Sequence, residues 1–366
     1  MRVFDSQDKD FMQLALSLAQ KGRGCVLPNP LVGAVVVKDG KIISQGYHAK
    51  FGSDHAEVNA LREAEELAIG ATLYVTLEPC SHFGKTPPCV DRILQANIQR
   101  VVVAMQDPNP TVSGNGIAKL RANGVQVDAG LLEKEALALN RPFVKFITRQ
   151  LPFVTLKIAQ TLDGRIADCN GRSKWITGAE ALALVHQWRF EAGAVLVGIG
   201  TVLADNPRLT VRHIEGKQPI RIVLDAELRI PLNCHLLTDD FVEKTLIFTK
   251  DSGLQSKKVK AITARGAQVL KVPVTNQFLP IQEVLAALAK LDIAHVLVEG
   301  GAEIFSSFLK EKCADRLSLV IAEKIFGDGK MTMNFAGFSA ENPLVFENST
   351  WEKIGRDRLF LADFRW

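Results

Sequence analysis

No run of about 18 apolar residues occurs in this 366-residue chain, so no segment reads as a membrane-spanning helix. The opening "MRVFDSQDKD" is polar, and no apolar core follows it, which argues against a secretory signal. Cysteine is scarce: six are too few for a disulfide framework in a chain this long. Aromatic residues make up 7% and the formal net charge is +4, too little for a basic groove with stacking aromatics, so a nucleic-acid partner is not expected. Internal repeats and low-complexity tracts are missing as well. The expectation is a cytoplasmic globular protein without a membrane or nucleic-acid partner. Its 47% hydrophobic and 23% charged residues fit a sizeable core, and its length favours two domains.

The element pattern supports that division. "QDKDFMQLALSLAQKG" carries apolar residues at helical spacing, and "LVGAVVVKDGKIISQGYH" reads as two β-runs joined at Asp39-Gly40. A helix from about His55 to Leu67 follows, with Asp54 as its expected N-cap. Then come the strand "ATLYVTL", a helix from Cys89, the buried strand "RVVVAM" and a helix from Leu131 to about Thr148. Two antiparallel strands followed by strand–helix units imply a mixed sheet with helices on its faces. The pattern restarts after Pro152 with "FVTLKIAQ", "AVLVGIG", "IRIVLD", "TLIFT" and "HVLVEGG". The expected division is therefore 1–150 and 151–366, with the polar stretch 251–277 read as a surface excursion.

The chemistry concentrates in "DHAEVNAL" and "TLEPCSHFGKTPPC". Catalytic zinc takes three protein ligands and keeps one position open, and His55, Cys80 and Cys89 supply three. Glu57 then has no ligand role and suits a proton carrier. Zinc deaminases use H-x-E followed by P-C-x-x-C; here eight residues separate the two cysteines. Because positions two apart on a helix diverge, His55 is expected at the loop-to-helix junction. Two thiolates balance the charge of the ion, and helix N-termini at His55 and Cys89 favour thiolate further. Two blander readings stand beside this one: a closed structural site with His82 as fourth ligand, or unpaired thiols. Cys25, Cys169, Cys234 and Cys313 have no partner spacing and read as ordinary core or surface residues.

Together "NPLVGAVVV", "HAEVNAL" and "EPCSHFGKTPPC" resemble the deaminase half of the bifunctional riboflavin-biosynthesis deaminase–reductases. "TLKIAQTLDGRIA", "SKWITG", "GIGTVLADNPRLTVR" and "VEGGAEI" resemble the pyrimidine reductase half, in the same order. The resemblance implies an α/β protein: an N-terminal cytidine-deaminase-like three-layer domain with a mixed sheet, and a C-terminal dihydrofolate-reductase-like α/β domain. It implies one Zn2+ per chain, NADPH, and a phosphorylated pyrimidine substrate. Residues 1–150 would deaminate 2,5-diamino-6-ribosylamino-4(3H)-pyrimidinone 5′-phosphate, and residues 151–366 would reduce the ribosyl group to give 5-amino-6-(5-phosphoribitylamino)uracil.

Carried over from the family, the deaminase substrate contacts fall on Asn29, His48, His82, Lys85, Asp107 and Asn109. Cofactor contacts fall on Ala159, Trp175, Thr201 and Asp205, and on Gly301, Ala302, Glu303, Ile304, Phe305, Ser306 and Ser307. Reductase substrate contacts fall on Ser173, Arg189, Leu209, Arg212 and Glu299, with Lys157 a further contact to the sugar. The residues themselves are compatible with these roles. Gly300-Gly301 between a buried strand and a helix lets backbone N–H groups approach a phosphate, although Gly-Gly also makes ordinary turns. Two arginines suit a bidentate grip on the ribose phosphate. An editing deaminase acting on nucleic acid and a zinc-stabilised binding module are the competing functions; the complete His55, Glu57, Cys80 and Cys89 set weighs against the second. Assembly is left open by the sequence, a homo-oligomer included.

Overall fold

The computed structural model describes residues 4–83, 87–110, 112–174, 176–250, 257–273, 278–333 and 337–366. Two compact units emerge, Met1–Gln150 and Leu151–Trp366.

In the first unit a five-stranded sheet runs β2-β1-β3-β4-β5. It is built from β1 (Gly33–Lys38), β2 (Lys41–Tyr47), β3 (Thr72–Leu77), β4 (Arg100–Met105) and β5 (Gln126–Ala129). β1 is antiparallel to β2 and β3, while β3, β4 and β5 are parallel. Asp39 and Gly40 both have positive φ (51° and 72°), the geometry that a two-residue hairpin needs to match strand twist. Helices α1 (Ser6–Gln20), α2 (Ala56–Ala64), α3 (Cys89–Gln95), α4 (Asn115–Ala122), α5 (Glu133–Leu139) and α6 (Arg141–Arg149) complete the unit. Val35, Val36, Val75, Val102 and Val103 are fully buried, as expected of strands covered on both faces.

Two local expectations change. The helix read from Leu131 to Thr148 is broken at Asn140 into α5 and α6. Pro142 at the start of α6 lacks an N–H for a continuous helix, and the Asn140 side chain instead bonds the backbone of Leu31, accepting from its N–H (2.7 Å) and donating to its carbonyl (2.9 Å). Asp54 is not the N-cap of α2. His55 holds that position in an extended conformation, and Asp54 pairs with Arg62 at 2.6 Å on the surface.

The second unit is a nine-stranded sheet in the order β11-β10-β9-β8-β12-β6-β13-β16-β15. Its strands are β6 (Phe153–Thr161), β8 (Ala194–Gly198), β9 (Ile220–Leu224), β10 (Thr245–Lys250), β11 (Gln268–Val272), β12 (His295–Val298), β13 (Arg316–Ala322), β15 (Phe346–Ile354) and β16 (Asp357–Phe364). The run from β11 to β13 is parallel, and β16 and β15 add an antiparallel edge. β7 (Arg165–Asp168) and β14 (Gly329–Met331) form a separate ribbon. Helices α7 (Ala179–Ala192), α8 (Ile199–Asp205), α9 (Lys257–Thr263), α10 (Ile281–Ala289) and α11 (Ala302–Lys310) lie along the chain between strands. The stretch read as a surface excursion supplies α9 and the edge strand β11, with Ile262 and Val272 buried.

Strand order fixes where a ligand can sit. From β8 the chain moves outward through β9, β10 and β11, then returns to place β12 between β8 and β6. Such a reversal leaves a crevice outside the carboxyl ends of the strands. The turns after β8 and β12 both open there.

Candidate metal centre and reductase crevice

His55 reaches the metal position as the N-cap residue of α2, where an extended backbone (φ −74°, ψ 164°) turns its ring away from the helix. Cys80 follows the end of β3, and Cys89 is the first residue of α3. His55 Nδ1 lies 3.2 Å from Cys89 Sγ and 3.6 Å from Cys80 Sγ, and all three ligand atoms lie within 4.8 Å of one another. Bond lengths of about 2.0–2.3 Å in a tetrahedron put ligand atoms about 3.6–3.8 Å apart, so the triangle has the size of one zinc face. Among the described residues this is the one cluster of its kind, and His82 is not a member of it, which favours a three-ligand site over the closed one.

The electrostatics agree with a cation here. The backbone N–H of Cys89 donates to Cys80 Sγ at 3.3 Å. Cys89 and then His55 draw the Cys80 thiol down to about 4, while the contact with Cys80 and burial push Cys89 up. Thiols coupled this way are ones that a divalent ion would hold ionised together. Glu57, on the first turn of α2, is 3% exposed. Burial raises its carboxyl to about 7, against the pull of the His55 ring.

His55, Glu57 and Cys80 line a cavity of about 310 Å³, together with Asn29, His48, His82, Asp107 and Asn109. Five of the six expected pyrimidine contacts are thus in one pocket; Lys85 lies outside the described residues. His48 Nδ1 faces the Asp54 carbonyl at 3.1 Å and must donate to it, so His48 Nε2 accepts from the Asn29 amide at 3.2 Å. That pairing leaves Asn29 Oδ1 available as an acceptor. Asn140, bonded to Leu31, secures the loop that carries Asn29.

A second cavity of about 920 Å³ opens at the crevice of the larger unit. Its wall includes Ala159, Thr201, Asp205, Gly301, Ala302, Glu303, Ile304, Phe305 and Ser307, and also Ser173, Arg189, Leu209, Arg212 and Glu299. Ser306 is 5% exposed and is not part of the wall, and Trp175 lies outside the described residues. Ser173 Oγ donates to Asp205 Oδ1 at 3.4 Å.

Two readings from sequence need adjustment. Gly198 and Gly300 serve packing: a Cβ on either would lie 2.6 Å from the Ile304 side chain, so both are small to let α11 close on the strand ends. Gly301, the N-cap of α11, is the open one, with Lys330 Nζ 4.0 Å from where its Cβ would be. Arg189 does not offer a free fork. Its Nε and Nη2 donate to Glu299 at 2.6 and 2.9 Å, its Nη1 donates to the Thr210 carbonyl at 3.0 Å, and the pair is nearly buried. Exposed guanidinium groups on this wall belong to Arg208, Arg212 and Arg229. Lys157 also lines the cavity, and burial lowers its pKa, partly offset by Glu299. Sequence reasoning missed Arg208, Lys330 and Glu78. Of these, Glu78, immediately before Pro79-Cys80, and Arg208, within "GIGTVLADNPRLTVR", stood inside stretches already singled out.

The smaller unit is therefore that of a zinc-dependent hydrolytic deaminase, and the larger one has the parallel-sheet crevice of a nucleotide-dependent reductase. Comparison with known proteins gives the family. Residues 5–105 match the cytidine and deoxycytidylate deaminase zinc-binding region, and residues 152–360 match the RibD C-terminal domain. The riboflavin biosynthesis protein RibD of Aquifex aeolicus is 49% identical over 351 residues, covering 96% of each chain. That of Escherichia coli is 40% identical over 334 residues, covering 88% of this chain and 89% of its own. Among solved structures, Acinetobacter baumannii RibD superposes with a TM-score of 0.88 at 37% identity, covering 98% of this chain and 99% of that one. The diaminohydroxyphosphoribosylaminopyrimidine deaminase/5-amino-6-(5-phosphoribosylamino)uracil reductase of Thermotoga maritima gives 0.86 at 40% identity, with the same coverage. The chain belongs to the RibD family of bifunctional riboflavin-biosynthesis deaminase–reductases.

Proposed function

We infer that the protein carries out two steps of riboflavin biosynthesis: hydrolytic deamination of 2,5-diamino-6-ribosylamino-4(3H)-pyrimidinone 5′-phosphate, then NADPH-dependent reduction of its ribosyl group to ribityl. The observation that carries the first step is the triangle of His55, Cys80 and Cys89 beside buried Glu57 in a pocket of heterocycle size. Cytoplasmic location fits a chain whose described helices are all too short or too polar to cross a membrane.

His55, Cys80 and Cys89 would hold a zinc ion, which would supply a Lewis acid able to bring the pKa of a water near 7. Glu57 would carry one proton of that water to the ring nitrogen, where it stays, and the second to the departing amine, which leaves as ammonia. Burial raises the Glu57 carboxyl from its ordinary range, which suits a group that both takes up and gives up protons. Asn29, with its amide N–H groups turned to His48, presents Oδ1 to a donor on the pyrimidine edge. His82, Asp107 and Asn109 complete the lining that orients the ring.

In the larger unit NADPH supplies the hydride. Uncapped N–H groups at the start of α11, with Lys330 nearby, favour its phosphates. Arg212 and Arg208 meet the sugar phosphate, while Glu299 offsets the charge of Arg189 and Lys157. Ser173 and Asp205 link the substrate and cofactor sides of the crevice.

The test is to incubate zinc-loaded protein with the diaminopyrimidinone phosphate, with and without NADPH, and to weigh the products. Loss of one amino group as ammonia without NADPH, and that loss plus reduction with it, is the expected result. Unchanged substrate in both arms would refute the reading.

A further inference from the structure

Glu78 directly follows β3, immediately before the Pro79-Cys80 pair, and is 4% exposed. Its carboxylate meets four backbone donors. Oε2 accepts from the N–H groups of Asp107 (3.2 Å) and Gly114 (2.9 Å), and Oε1 from those of Gly116 (2.9 Å) and Ile117 (3.2 Å). These donors stand at both ends of the segment that carries Asp107 and Asn109. At the far end Gly116 lies flush against Pro79, where a Cβ would be 2.0 Å from the Pro79 carbonyl oxygen. The Glu78 N–H also donates to the Met105 carbonyl at 3.0 Å, so its own backbone is tied to the strand from which the segment departs.

Connecting segments are ordinarily the softest part of a site. Here one charge gathers four N–H dipoles, and hydrogen bonds to an ionised acceptor are markedly stronger than neutral ones. Only a carboxylate can accept on both oxygens at once. The donors are main-chain groups, so the clamp sets where the segment lies whatever its side chains are.

We propose that Glu78 is a positioning residue for deamination: it fixes Asp107 and Asn109, across the pocket, relative to the Cys80 corner of the metal site. The proposal rests on reading this pocket as the pyrimidine site. It assigns Glu78 no contact with the reacting atoms. Asp107 is the direct link, because its own N–H is one of the four donors and its Oδ1 in turn accepts from the Asn109 N–H at 2.9 Å.

Glu78→Gln tests it, because the amide turns N–H groups toward two of the donors and half of the clamp becomes repulsive. The expected result is a KM for the diaminopyrimidinone phosphate raised by about tenfold or more. Zinc content and the reduction of pre-deaminated substrate stay at wild-type levels. Asp107→Ala raises KM as well, and the double variant is no worse than Asp107→Ala alone, since both act through one contact. A merely structural role would lower zinc content or folded yield and leave the KM of the surviving enzyme alone. Unchanged KM in zinc-loaded Glu78→Gln overturns the proposal, as does full additivity in the double variant. If Glu78→Gln does not fold, Glu78→Asp is measured on the same terms: it keeps the charge but draws it back by one methylene, and an unchanged KM there overturns the proposal. A wild type inert on this substrate would overturn the functional reading and this proposal with it.

Discussion

Replacing Glu57 by glutamine isolates the proton carrier from the metal site. The side chain keeps its length and shape, and at 3% exposure a neutral amide costs less to bury than a carboxylate, so folding is not at risk. His55, Cys80 and Cys89 keep their spacing, because Glu57 is not one of the three ligands. The amide does not move protons in the range where the carboxyl, raised to about 7, does so. A positioned acid–base group contributes about 10²–10⁴-fold, which at 1.36 kcal/mol per decade adds about 3–5 kcal/mol to the deamination barrier. The assay measures ammonia release by the zinc-loaded variant under saturating substrate, with zinc stoichiometry and reduction of pre-deaminated substrate as controls. The expected outcome is a kcat lower by at least about a hundredfold, with both controls at wild-type level. Deamination within about tenfold of wild type at full zinc content would refute Glu57 as the carrier.

Three further outcomes follow from the geometry. Cys80→Ser removes a sulfur that lies 3.6 Å from His55 Nδ1, and both zinc stoichiometry and deamination should fall together; full metal content in the variant would take Cys80 out of the ligand set. Arg212→Ala removes an exposed guanidinium from the wall of the larger cavity, so KM for the phosphorylated sugar in reduction should rise by about ten- to a hundredfold with kcat little changed, and an unaltered KM would contradict a phosphate role. His186 is fully buried, and burial with neighbouring Arg189, Arg212 and His213 lowers its pKa from 6.5 to about 4. The unfolded chain therefore binds the extra proton first on acidification: this contribution to stability is whole above pH 6.5 and is lost as pH falls toward about 4. Thermal unfolding across that range should show a steeper acid limb in wild type than in His186→Asn, and parallel curves would refute the assignment.

Much of this protein was decided within short windows of its chain. The order of strands and helices, the seam near Pro152 and the Asp39-Gly40 hairpin follow from hydrophobic period and turn chemistry, which act between near neighbours. The metal triad was equally legible, because thiol and imidazole ligands have few other reasons to stand beside a spare glutamate in polar loops. Other features depend on partners far away in sequence. Asn140 breaks the helix because Leu31, more than a hundred residues earlier, receives its side chain. Arg189 is engaged because β12 brings Glu299 opposite it, and Gly198 and Gly300 are small because Ile304 packs on both. Glu78 gathers donors from a segment 29 to 39 residues downstream, a distance over which a sequence carries no period. Local propensity thus determined which elements form and which atoms can bind zinc. Long-range packing alone decided which charges are already matched and which remain free to meet a substrate.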